Sequence, residues 1–90
     1  MSADTFAAKM DELRRSFDAS LPARLAAMRR LLDLGADGRA ELQSIAHKLS
    51  GQGGTFGYPT ISAAAAAVEE AEPGDIPATL AALARAIEDR

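Results

Sequence analysis

Residues 42–59 read Leu42-Gln43-Ser44-Ile45-Ala46-His47-Lys48-Leu49-Ser50-Gly51-Gln52-Gly53-Gly54-Thr55-Phe56-Gly57-Tyr58-Pro59. Leu42, Ile45, Leu49 and Phe56 fall at i, i+3, i+7 and i+14. At about 100° per residue they point within roughly 40° of one direction, the apolar stripe of an amphipathic helix. Gly57 and Tyr58 end that helix. Pro59 opens the next, in a first turn where a missing N–H costs little. His47 points to the opposite side from the stripe. Gln43 and Ser44 lie one turn before it, and Ser50, Gly51 and Gly54 follow it. All are polar or lack a side chain, so the one imidazole of the chain stands outward in a clearing.

The same period extends in both directions. Phe6, Met10, Leu13 and Phe17 form a stripe, as do Leu21, Leu25, Met28 and Leu32. Beyond Pro59 come Ile61, Ala64/Ala65, Val68 and Ala71, then Ile76, Leu80, Leu83 and Ile87. No segment alternates with the period of a strand. Gly35 suits a helix C-cap and Asp37 an N-cap, while Glu72-Pro73-Gly74-Asp75 makes the last turn with Asp75 able to cap the final helix. Pro22 inside a helix would cost about 3 kcal/mol and free the carbonyl of Asp18. The apolar register nevertheless runs on from Phe17 through Leu21 to Leu25, so a kinked, nearly continuous arm is expected, with a break capped by Ser20 as the alternative. Short connections imply antiparallel neighbours. The expected fold is all-α: an antiparallel four-helix bundle with a kinked or broken N-terminal helical arm, one domain over residues 1–90. The Ala63–Ala67 run permits close helix approach.

Composition excludes much. Of 90 residues 21 are Ala, one is His and none is Cys. Without Cys there is no disulfide framework and no thiolate metal site, and one His cannot build a multi-His zinc centre. The expected metal set is none. A formal net charge of −3 argues against a nucleic-acid binder working through a basic face. No apolar run is long enough for a membrane span, and there is no signal-peptide pattern. A cytoplasmic, monomeric module is expected, and Met1 with tidy ends favours a free-standing one. Residues 1–48 carry 8 − 7 = +1 and residues 49–90 carry 2 − 6 = −4, read as solvated outer faces.

Gly51, Gly53 and Gly54 each cost up to about 1 kcal/mol against Ala in a helix, in a chain that uses Ala freely. Room beside His47 is what they provide. An imidazole with an ordinary pKa near ~6.5 offers a nucleophilic nitrogen at neutral pH. Phosphoryl transfer asks little more of the nucleophile than in-line access. A partner surface carrying a phosphoryl group would need that clearing.

The stretch His47-Lys48-Leu49-Ser50-Gly51-Gln52-Gly53-Gly54-Thr55-Phe56-Gly57 resembles the phosphoacceptor signature of histidine-containing phosphotransfer (HPt) domains, H-x-L-K-G-S/G-A-x-x-F/L-G. The resemblance implies that His47 accepts a phosphoryl group from the aspartate of a response-regulator receiver domain and passes it to another, through Nε2. It implies receiver domains and a hybrid histidine kinase as partners, with Mg²⁺ supplied by the receiver. Gly51 and Gly54 would give clearance, Lys48 and Ser50 would neighbour the phosphoryl group, and Gln43 and Ser44 would form the adjacent docking surface. The family's usual Lys three residues after the His is Ser50 here, and Lys48 lies about 100° round the helix. Glu69 lies where the family often carries a Gln or Glu that bonds the imidazole; a solvated charge beside Glu70 and Glu72 is the other reading.

Other readings are weaker. The Gly51–Gly57 segment has Phe56 where a dinucleotide-binding loop needs its third Gly, and a helix before it in place of a strand. A kinase dimerisation helix would continue H-E-x-x-x-P, whereas Lys48 and Gly51 follow His47 here. The main alternative is a non-catalytic adaptor that docks receiver domains without relaying phosphate. A structural bundle dimerising through Leu31 and Leu34 is a third.

Overall fold

In the computed structural model, which describes residues 3–90, the apolar stripes become four α-helices. They are α1 (Ala3–Asp33), α2 (Ala36–Thr55), α3 (Pro59–Glu70) and α4 (Ile76–Glu88), with a 3-10 turn at Pro73–Asp75 leading into α4. Among the described residues there is no strand. The chain is an all-α helical bundle, as its periodicity predicts. Met1, from which a free-standing chain was expected, lies outside the described residues together with Ser2.

α1 runs unbroken through Pro22 for 31 residues, so the broken alternative is corrected. Leu21, Leu25 and Met28 are buried around the proline, and that packing outweighs its local cost. Pro22 has no N–H to give the Asp18 carbonyl. Arg90 Nη2 instead reaches that oxygen at 3.5 Å, while its Nε lies 3.0 Å from Asp18 Oδ2.

The helix ends follow two glycines. Gly35 takes φ +62°, a backbone open to glycine and strained for other residues, and turns α1 into α2 within two residues. Gly35, not Asp37, occupies the N-cap position, and Asp37 lies inside the first turn of α2. Gly57 at φ +83° closes α2, with the Tyr58 N–H donating to the Gly53 carbonyl at 2.7 Å in a Schellman-type reversal. Asp75 precedes α4 but makes no capping bond through its side chain.

The core is a single cluster of Phe17, Leu, Ile, Val, Met and Ala side chains from all four helices. Each large member, fully buried, contributes about 1.5–3 kcal/mol. The first stripe departs from the others. Phe17 is buried, but Phe6 is 59% and Leu13 41% exposed, because α1 outruns the shorter helices beside it. The molecule measures 48 × 20 × 19 Å, its long axis set by α1. No helix is long and apolar enough to cross a membrane among the described residues.

Candidate functional site

The most extensively packed helix pair, α2 with α3, builds the surroundings of His47. Two features allow the approach: α3 presents Ala and Ser to α2, and α2 presents Gly53. A Cβ at Gly53 would lie 3.2 Å from the Ser62 amide nitrogen. Ser62 Oγ donates to the Ser50 carbonyl at 2.7 Å, fastening the start of α3 beneath the glycine segment. Gln43 fastens the other end, its Nε2 donating to the carbonyls of Glu69 at 3.1 Å and Ala71 at 3.3 Å.

Between these clamps His47 stands on the outer face of α2, its side chain 74% exposed. Nδ1 lies 2.8 Å from Glu69 Oε1 across the α2–α3 seam. A carboxylate only accepts, so in the neutral imidazole Nδ1 carries the proton and Nε2 the lone pair. Nε2 makes no hydrogen bond to a described residue. The imidazole is thus oriented at one nitrogen and open at the other.

The predicted site residues divide on this geometry. Ser44 and Lys48 are exposed, Ser44 about 60° round α2 from His47 and Lys48 about 100° round, beside Ala23, Arg24 and Ala27 of α1. Gly51 is exposed one turn on, and a Cβ there would meet nothing within 4 Å. Gly54 is nearly as open, its nearest neighbour being Ser62 Oγ at 3.7 Å. Gly53 does not belong with them: it is buried and serves helix packing. Ser50 is half-buried, with its carbonyl bonded to Ser62. Gln43, expected in a docking surface, is half-buried with its amide nitrogen committed to α3. Ser62 went unnoticed in the sequence. Its spacing of seven from Glu69 puts both on one face of α3, a signal that was available.

A second polar cluster closes the bundle end from which α1 extends. Tyr58 Oη donates to Asp18 Oδ2 at 2.7 Å, and Arg90 grips the same carboxylate. The bonds from Arg90 and then Tyr58 hold the Asp18 carboxyl below its ordinary value, while the Asp18 bond pushes the Tyr58 phenol up. The Phe17 ring packs against those of Phe56 and Tyr58, with centroids 5.4 and 5.5 Å away, and the Arg24 guanidinium lies 5.6 Å from the Phe17 ring centre. Among the described residues no group of His, Asp and Glu could hold a metal ion.

Compared with known proteins, residues 12–90 match the family model described as Hpt domain. The first nine described residues of α1 precede that match. No curated protein and no solved structure matched the chain. Matched over nearly its whole length, the chain belongs to the Hpt domain family, the phosphotransfer domains of two-component signalling.

Proposed function

We propose that the chain is a phosphorelay intermediate that carries a phosphoryl group on Nε2 of His47. The observation that carries this reading is an imidazole bonded at Nδ1 by Glu69 and open at Nε2, beside a Gly51 that nothing in the chain requires. The donor is the aspartyl phosphate of a response-regulator receiver domain. The Nε2 lone pair attacks phosphorus, the N–P bond forms, and the bond to the aspartyl oxygen breaks, returning a carboxylate. The Nδ1 proton stays directed at Glu69 throughout. Reversal onto a second receiver's aspartate completes the relay.

Mg²⁺ and most of the charge stabilisation belong to the receiver in this scheme, as does the in-line geometry. A hybrid histidine kinase would load the first receiver, and the relay would run in the cytoplasm. Lys48 and Ser50 neighbour the phosphoryl group, with Ser44 at the edge of the docking face.

The test follows radiolabel from a phosphorylated receiver domain with Mg²⁺ present. Label should appear on the chain as an acid-labile phosphoramidate and vanish in His47→Ala at unchanged helical content. Gly51→Leu should cut transfer at least tenfold by filling the clearing. Receiver binding without transfer at any pH would overturn the relay and leave the adaptor, the reading that Ser50 in the usual Lys position favours.

A further inference from the structure

Gln43 and His47 stand one turn apart on α2, and both reach the same residue of α3. His47 Nδ1 lies 2.8 Å from the Glu69 carboxylate, and Gln43 Nε2 donates to the Glu69 main-chain carbonyl at 3.1 Å. One residue is thus held at its backbone and at its side-chain tip by neighbours on a single helix face. The second bond of the Gln43 amide, to the Ala71 carbonyl at 3.3 Å, extends the hold past the end of α3.

α3 needs that help where it ends. A helix leaves its last carbonyls without partners of its own. Here the Ala71 N–H donates to the Val68 carbonyl at 3.3 Å, and the next carbonyl, that of Glu69, accepts from Gln43. No glycine closes the helix: Ala71 leaves it in an extended conformation, ahead of Glu72 and Pro73. The last turn carries no basic residue, and Glu69 and Glu70 set negative charge against the negative end of the helix dipole. Val68 is the last residue of α3 that the core buries. A helix of 12 residues is too short to hold its own end by propensity. The turn that carries Glu69 therefore depends on contacts from outside the helix.

The pair that this turn supports is weak alone. The His47 side chain is 74% and that of Glu69 37% exposed, so water competes for both groups and a mobile carboxylate would lose the contact. A neutral imidazole left to water favours the proton on Nε2, which is the wrong nitrogen for an acceptor. The hydrogen bond at Nδ1 reverses that preference.

We propose that Gln43 is a positioning residue for His47. By holding the Glu69 main chain it fixes that carboxylate against Nδ1, and so keeps the lone pair of the neutral ring on Nε2. Among the described residues Gln43 makes no bond to the ring itself, so it acts through Glu69. The consequence for transfer rests on His47 being the phosphoacceptor; the consequence for the proton does not.

Nitrogen-15 shifts of the neutral His47 ring, measured on the full chain, report which nitrogen carries the proton. Nδ1–H should dominate in the parent. Gln43→Met, which keeps the length and removes the donor, should move the tautomer ratio toward Nε2–H by about three- to tenfold, the equilibrium effect of losing a neutral hydrogen bond. Circular dichroism should not change. Glu69→Ala sets the limit, and adding Gln43→Met to it should move the ratio no further. With a phosphorylated receiver domain, kcat for Gln43→Met should fall by about the same factor at unchanged KM. In the parent the Gln43 side-chain amide should exchange with solvent more slowly than that of Gln52, whose amide nitrogen donates to no described residue. Equal exchange at the two amides would overturn the proposal whether or not the variant folds. An unchanged tautomer ratio in Gln43→Met would also overturn it, as would a parent ring protonated on Nε2. So would a shift of the same size with and without Glu69, the mark of general loosening. Ratios that behave as expected while no label reaches His47 would sink the relay and leave Gln43 in its role.

Discussion

At Gly51 an added Cβ would meet nothing within 4 Å, whereas at Gly38 it would lie 2.2 Å from the Leu31 carbonyl oxygen. Gly51→Ala should therefore stabilise the fold by up to about 1 kcal/mol through helix propensity. Gly38→Ala should destabilise it by about 1–3 kcal/mol, because α1 and α2 must separate at the hairpin, and Gly53→Ala should fall between the two. Urea unfolding of the three variants would rank them. A Gly51→Ala variant that is destabilised would remove the argument that its glycine serves something outside the chain. In the sequence Gly51, Gly53 and Gly54 look alike, and the phase of His47 was legible from spacing alone. What spacing could not show is where α3 crosses α2. That crossing makes Gly53 a packing residue, turns the Gln43 amide inward, and brings Glu69 to within 2.8 Å of His47.

Along α1 an interior proline coexists with an unbroken helix, and the cluster at Asp18 bears on why. Arg90 reaches both the carbonyl that Pro22 leaves unpaired and the carboxylate of the same residue, while Tyr58 ties in the start of α3. The folded Asp18 carboxyl titrates below its unfolded value, so this cluster stabilises fully above about pH 3.9 and weakens as pH falls through the lower folded value. Tyr58 has the opposite sign. Its raised value means stability present below about pH 10 and lost as pH rises through the folded value. Melting temperatures of Asp18→Asn should approach those of the parent chain as the medium is acidified past pH 3.9, and Tyr58→Phe should cost about 1 kcal/mol at neutral pH. A constant gap between parent and Asp18→Asn down to about pH 2 would contradict the cluster's role. The sequence announced the helices through their stripes and glycines, and it offered the continuous apolar register across Pro22. A contact between residues 18 and 90 leaves no trace in periodicity, because it depends on α4 returning to the end where α1 leaves.

On the scale of the whole molecule the bundle and its arm are energetically separate. A chain beginning at Glu12 loses exposed Phe6 and half-buried Met10 and no core residue. It should melt within about 2 °C of the parent by circular dichroism. The five stripes made an all-α bundle readable before any coordinates, but equal spacing made the first stripe look like the other four. Burial depends on what lies opposite, and nothing lies opposite Phe6. The bundle itself holds no buried polar or charged side chain among the described residues. A negative charge arriving at position 47 would find no ionisable group inside to answer it, and amide chemical shifts should move only near His47 and Glu69. Loaded and empty chains would then share one interior. The signal is held as occupancy and not as shape, and telling the two states apart falls to the surface of whichever protein docks.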